Sequence, residues 1–329
     1  MAKPVNKWIL FGGLSALFCF GCELSKAQVI KNVTQMTVAE LKTAADKGSP
    51  QAQYELGGRF HNGNGVLKDS TEAVKWWQKA AAQKFPPAEL SLGIAYGSGD
   101  GVPKDKQEGV KLCRLAADSG LARAQEILGI LYSSNDGGLP QDYAQAFYWF
   151  KSAAVQGWPP SQYYLALCFR DGRGTPTNSA EAFSWFQQAG SNGVANAQLA
   201  LGNYYSRAGF AEIGIPDRIK PDTVLTQEQL TNRNFMHGVE WYRKAANQGY
   251  PPGQMSLMVA YRNGVGVAKD PTEACKWYIL ANRGNHPEVW KINGTDFTSD
   301  QISAGKKRAE EFSGTNHVTP KSVQEIPEL

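Results

Sequence analysis

Cysteine is scarce in this chain of 329 residues: there are five, and Cys19 and Cys22 fall within the first 27 positions. The other three, Cys113, Cys168 and Cys275, stand 55 and 107 residues apart. That spacing fits neither a disulfide framework nor a metal-binding cluster. Each lies in an apolar segment of helical pattern, so all three are expected as buried core thiols. Histidine is scarcer still. His61, His237, His286 and His317 share no metal-ligand spacing, and no G-x-S-x-G elbow or S-x-x-K serine site stands at a fitting position. Neither sign of charge dominates, since 34 basic and 30 acidic side chains leave a formal +4. That balance gives little support to nucleic-acid binding, which usually shows a concentrated basic surface. With 42% hydrophobic and 19% charged residues, a highly charged disordered chain and a polytopic membrane protein are both excluded. No catalytic, cofactor-binding or metal-binding residue is therefore assigned.

One apolar run does occur, from Trp8 to Gly21, preceded by Lys3 and Lys7 and followed by Ser25-Lys26-Ala27. A basic start, a short apolar core and small residues at the cleavage positions describe a secretory signal peptide. The run is short of the roughly 20 residues that span a bilayer. Cleavage after Ala27 is expected, which makes the chain secreted or periplasmic. The alternatives are an uncleaved anchor and a lipoprotein anchored at Cys22, although Cys19 and Phe20 fit a lipobox poorly. Removing residues 1–27 leaves 31 basic and 29 acidic side chains, so strong electrostatic steering by the whole molecule is not expected.

What the chain has in excess is glycine, 34 residues, and tryptophan, nine. Length alone allows about two domains, but an internal repeat gives a different organisation. A small residue recurs at Ala52, Ala88, Ala124, Ser161, Ala197 and Gly253, at intervals of 36, 36, 37, 36 and 56. Four positions on stand Leu56, Leu92, Leu128, Leu165, Leu201 and Leu257; four further on stand Phe60, Tyr96, Tyr132, Phe169, Tyr205 and Tyr261. Spacings of four and eight lie on one helix face, so this is one buried stripe. After each of these leucines the residue is Gly57, Gly93, Gly129, Ala166, Gly202 or Met258, mostly small enough to admit a neighbouring helix. Paired glycines, such as Gly63 with Gly65 and Gly172 with Gly174, then supply the positive φ of a helix stop and turn.

A second helix follows from an acidic or amide cap: Asp69-x-x-Glu72, Asp105-x-x-Glu108, Asp142-x-x-Gln145, Asn178-x-x-Glu181 and Asp270-x-x-Glu273. The spacing is that of a capping box, in which each side chain serves the other residue's amide. Seven residues past the cap stand Trp76, Leu112, Trp149, Trp185, Trp241 and Trp277, followed by alanine pairs such as Ala80-Ala81. Large rings against small alanines make interlocking layers. Most units stop at glycine, as at Gly120 and Gly157.

The pattern A-x-x-x-L-G-x-x-Y, G-x-G-V-x-x-D, A-x-x-W-Y-x-K-A-A-x-x-G resembles the Sel1-like repeat, a relative of the tetratricopeptide repeat. The clearest copies run from Ala52 to Phe85 and from Gly253 to Gly284, and six copies cover about 235 residues. The resemblance implies an all-α fold, a right-handed α-solenoid of helix–turn–helix units. It also implies a non-catalytic adaptor or scaffold that binds protein through its concave surface. Some secreted bacterial relatives carry a regular cysteine pair in each repeat and have been associated with penicillin binding. This sequence lacks the pair, and that activity is not carried over.

The expected organisation is a signal peptide over 1–27, a degenerate capping repeat over 28–50 and six repeats over 51–286. A capping segment and helix over 287–312 and a flexible tail over 313–329 follow. The fifth repeat carries an insertion near 207–233, after which Asn234 takes the capping position and His237 replaces the usual Glu or Gln. The insertion reads either as a recognition loop or lid, or as neutral loop growth. Candidate groove residues occupy the variable positions of the first helices: Tyr54, His61, Glu126, Tyr163, Arg170 and Arg262. Tyr and Arg are the types that dominate binding hot spots; Tyr54 and Tyr163 equally fit packing between units. The expected function is a protein-interaction scaffold in the bacterial cell envelope, with an unidentified protein or peptide partner and no nucleic acid. Membrane attachment enters only through Cys22 or an uncleaved N-terminus. The alternative is an envelope hydrolase or a cell-wall glycan-binding protein using the same groove.

Overall fold

The structure, a computed structural model, describes residues 33–134, 138–208, 227–282 and 297–315. The leader with its Ala27 and Cys22 sites, residues 209–226 of the insertion, His286, His317 and the segment 316–329 lie outside the described residues. Within them the chain is an all-α solenoid of helix–turn–helix units. The helices are α1 Val38–Asp46, α2 Pro50–Asn62, α3 Ser70–Ala81, α4 Pro86–Ser98, α5 Lys106–Asp118, α6 Ala122–Ser133 and α7 Tyr143–Ala154. They continue with α8 Pro159–Asp171, α9 Ser179–Ser191, α10 Ala195–Ala208, α11 Gln227–Asn247, α12 Pro251–Asn263, α13 Pro271–Ala281 and α14 Ser299–Thr315. Each described neighbour pair from α1 to α5 and from α7 to α14 packs together. The contacts fall into two compact units, dividing inside α6 between Ala124 and Gln125. A solenoid is prone to such division, because each repeat is held by its neighbours alone.

The leucine stripe is the axis of each repeat. Leu56, Leu128, Leu201 and Leu257 are fully buried, Leu165 is 1% exposed and Leu92 5%. Beside it the small residues admit a large partner. A Cβ on Gly57 would sit 2.5 Å from the Trp77 indole nitrogen, and one on Gly202 would meet the Tyr242 ring. Each pair brings a first helix against the second helix of its own repeat, at a separation only glycine allows.

The second helices start as the caps require, with one difference. Asp69, Asp105, Asp142, Asn178 and Asp270 each accept the N–H of the third helical residue at 2.9–3.1 Å. The reciprocal half of the box does not form. The cap N–H groups instead donate to Phe60, Tyr96, Tyr132, Phe169 and Tyr261 carbonyls at 2.8–2.9 Å. Those are the stripe aromatics, so this bond closes each helix–turn–helix and leaves the acid free. Glu72, Glu108 and Glu273 turn to the lysine three residues on. Complete capping interactions occur at the terminal helices, at Thr37 with Glu40 and at Thr298 with Gln301.

Two further expectations change. Asn234 is not a cap: α11 is 21 residues long and already helical from Gln227, because nothing in the Gln227–Arg233 run breaks a helix. Its register is nonetheless that of the other repeats. Gly266 lies against the Phe235 carbonyl as Gly101 lies against that of Ser70. At the other end, α14 continues to Thr315, three residues into the expected tail, with Ser313 Oγ donating to Ala309 O at 2.6 Å. This helix closes the last repeat. Phe312 stands edge-on to Trp277 at 5.3 Å, and Arg308 donates to Asp270 and Glu273 at 3.0 and 3.1 Å.

A buried amide ladder joins successive repeats, one residue after each opening position. Gln53, Gln125, Gln162, Gln198 and Gln254 are all 4–6% exposed. Gln53, Gln198 and Gln254 donate to the carbonyls of Ala45, Gly190 and Ala246, each eight residues earlier, at 3.0, 2.9 and 3.3 Å. Their oxygens, where bonded, take an amide from the end of the next second helix: Gln83 to Gln53, Gln156 to Gln125, Asn192 to Gln162 and Gln248 to Gln198, at 2.8–3.0 Å. A buried amide bonded at both ends recovers what its desolvation costs, and it fixes the joint.

Candidate interaction surface

The six candidates divide between the units, Tyr54 and His61 in the first and Glu126, Tyr163, Arg170 and Arg262 in the second. Tyr54 is half-buried, its ring edge-on to Phe85 at 5.6 Å. Glu126 is 9% exposed and accepts the Trp158 indole N–H at 2.6 Å. Phe85 and Trp158 share a feature that the sequence reading missed. Each is an N-cap aromatic followed by Pro-Pro, as is Tyr250, and none makes a side-chain cap bond. The prolines pre-set the first turn without needing a donor. The aromatic is thereby free to cover the variable position of the preceding first helix.

His61 stands in the last turn of α2 with its ring 5.5 Å from Trp77. Its Nδ1 is 3.4 Å from Asp100 Oδ2 but is shut off from solvent without a hydrogen bond, so the pairing is one of distance rather than direction. In the second unit, Tyr163 packs on Tyr164 and Phe186 at 5.6 and 5.9 Å. Burial pushes its hydroxyl above the usual tyrosine range; Tyr250 adds to this and Arg170 opposes it. Arg170 is 46% exposed and grips Asp171 through two bonds of 2.6 and 3.0 Å. The Asp171 carboxyl is held low by that guanidinium. Tyr204 also acts on Arg170. The structure thus brings Tyr163 and Arg170 together and adds Asp171, Tyr204 and Tyr250. Arg262 is half-buried on α12.

The thiols are packing groups. Cys113 is fully buried and its thiol is pushed up to about 12; Cys168 is 5% exposed and pushed up to about 11, both by desolvation. A hollow of about 420 Å³ lies between α9 and α11, lined by Ser184, Gln187, Gln188, Ser191, Asn192 and Trp241. Lys244 covers one face of that Trp241 ring at 3.8 Å.

Stacked helix pairs with this cap, stripe and turn geometry define a helical-repeat solenoid. The Sel1 repeat profile matches residues 50–85, 86–121, 122–158, 159–194, 228–250 and 254–286, and the chain belongs to the Sel1 repeat family. Proteins of this family generally act as protein-interaction scaffolds, and the fold is typically non-catalytic. Among solved structures, a Sel1 repeat protein from Oxalobacter formigenes is 29% identical, with a TM-score of 0.62 over 72% of this chain and 88% of the other. A protective antigen of uropathogenic Escherichia coli is 23% identical over 84% and 86%, with a looser TM-score of 0.37. The chitin synthase regulatory factor 3 of Schizosaccharomyces pombe is 30% identical over 89 residues, 27% of this chain. The matching segment spans 10% of that relative's length.

Proposed function

We propose that the chain is a non-catalytic scaffold of the bacterial cell envelope that binds a protein or peptide through the first-helix face of its second unit. The observation that carries this is the cluster of Tyr163, Arg170, Asp171 and Tyr204 on α8 and α10. Two half-buried phenol rings, Tyr163 and Tyr204, pack on Phe186 at 5.9 and 5.8 Å, and on the same helix as Tyr163 an exposed guanidinium is held by Asp171 in a two-bond fork. Such a group presents flat aromatic area and rigid donors at small entropic cost, the composition of binding hot spots. The charged leader and the small residues before Gln28 support an envelope location.

The test is affinity capture from an envelope extract with the purified mature chain. A partner retained by wild type is expected to fall at least about tenfold in recovery with Arg170→Ala or Tyr163→Ala, since hot-spot truncation costs about 2 kcal/mol or more and about 1.4 kcal/mol is already tenfold. A Tyr54→Ala variant is expected to bind as wild type does. Retention of the same proteins by all three variants would refute the surface, and residue-dependent turnover in a hydrolase screen would refute the scaffold reading. Mass spectrometry of the mature N-terminus decides the location, with Gln28 expected and a lipidated Cys22 the contrary result.

A further inference from the structure

One joint departs from the amide ladder. Where five repeats place glutamine, α4 carries Glu89, and it is just as buried, at 5% exposure. The α3–α4 turn is unusual too. The equivalent turns place Gly48, Gly120, Gly157, Gly193 and Gly249 in the left-handed region, and this one places Lys84 there at φ 56°. Lys84 is the described non-glycine residue with positive φ. The two departures therefore fall at one joint, five residues apart.

A glutamine at position 89 would have a donor for the carbonyl of Ala81, eight residues earlier. That carbonyl takes the Lys84 N–H at 2.8 Å, just as Ala45, Gly190 and Ala246 take the N–H of Gly48, Gly193 and Gly249. An ionised carboxylate offers acceptors alone, and it sets oxygen against oxygen. Glu89 Oε2 is in fact buried with no hydrogen-bond partner. A protonated carboxyl, by contrast, has the shape and the donor of the amide it replaces. Desolvation holds this carboxyl above the usual carboxylate range, and Lys84 pulls the other way. Lys84, in the α3–α4 turn, is the charged group that acts on it among the described residues of α3, the turn, α4 and α5.

We propose that Glu89 is a buried proton-binding site, in which the protonated carboxyl donates to the Ala81 carbonyl and locks the α3–α4 joint. Loss of that proton to solvent removes the donor, and the joint loosens as Glu89 turns toward the Lys84 ammonium. The inference concerns the first unit and stands apart from the binding face of the second.

Thermal unfolding of the full chain across acid to mildly alkaline pH tests it, with Glu89→Gln and Lys84→Met beside wild type. A group that binds its proton more tightly when folded stabilises fully at low pH and loses that contribution as pH rises through its folded-state titration. Wild type and Glu89→Gln are therefore expected to melt together at the acid end. Wild type should then fall about 2–4 °C behind as pH rises. Lys84→Met should delay that divergence to higher pH, because without the ammonium the carboxyl keeps its proton longer. Infrared difference spectra supply a reading independent of stability: a protonated-carboxyl band present in wild type above the ordinary carboxylate range and lost in Glu89→Gln. A pH-independent gap, or a variant nowhere more stable than wild type, would overturn the proposal. So would the absence of the band, or a divergence unmoved by Lys84→Met.

Discussion

The α3–α4 and α9–α10 joints perform the same connection with different chemistry. At α9–α10 the turn residue is Gly193 at φ 89°, and Gln198 donates to Gly190 O at 2.9 Å while accepting from Gln248 at 2.8 Å. At α3–α4 the turn is Lys84 at φ 56° and the ladder position is Glu89, without a donor when ionised. The amide joint is satisfied at every pH. The carboxyl joint is satisfied in one protonation state, with a lysine beside it that favours the other. The repeat therefore specifies a shape and a donor at this position rather than a residue. An acid can fill the position where the environment supplies a proton or a countercharge.

The comparison breaks most sharply if the acid is moved. Gln198→Glu places a carboxyl between Gly190 O and the Gln248 amide without a lysine at the turn. The Gln248 bond survives, but the bond to Gly190 O is replaced by two facing acceptors. A loss of about 1–3 kcal/mol at neutral pH is expected, the cost of a buried group left unsatisfied. It should shrink as the pH falls and the carboxyl regains a donor. Urea unfolding at acid and neutral pH, with hydrogen exchange at Val194 as a local reading, checks this. An equal loss at both pH values would show that volume rather than a proton decides the position.

Much of this architecture was legible in the residues. The leucine stripe, the caps, the paired glycines and the ring-on-small packing follow from spacing, because each is imposed within one or two helices. The ladder is just as periodic, but glutamine is ordinarily exposed, so spacing alone does not mark Gln53, Gln125, Gln162, Gln198 and Gln254 as buried. Only the packed repeat shows that its amide spans two helix ends. The capping box misled in the same way: spacing shows that Glu72 can reach back to Asp69, but not that the Phe60 carbonyl has already taken the amide. Asn234 misled because a good cap residue also sits inside a helix when the residues before it are helical. For the surface, Tyr54 and Glu126 stand at variable positions, and the Phe85 and Trp158 rings that meet them come from the far ends of their own repeats, more than one helix away in sequence.

The smallest effect lies at the turn itself. Lys84→Gly removes a side chain from the left-handed region, which costs a residue with a Cβ roughly 1–2 kcal/mol. It also adds backbone freedom to the unfolded chain, worth about 0.5–1 kcal/mol in the opposite direction. At φ 56° Lys84 already sits near the left-handed minimum, so the net gain on substitution should be below about 1 kcal/mol. That gain is expected in full where Glu89 is protonated and needs no countercharge. As pH rises and Glu89 ionises, the variant has no ammonium to receive it, and its stability curve should close on or cross that of wild type. Paired urea titrations of the two chains over the same pH range resolve this. Parallel curves would mean that Lys84 is tolerated in the turn without serving its neighbour, and that the two departures at this joint are independent.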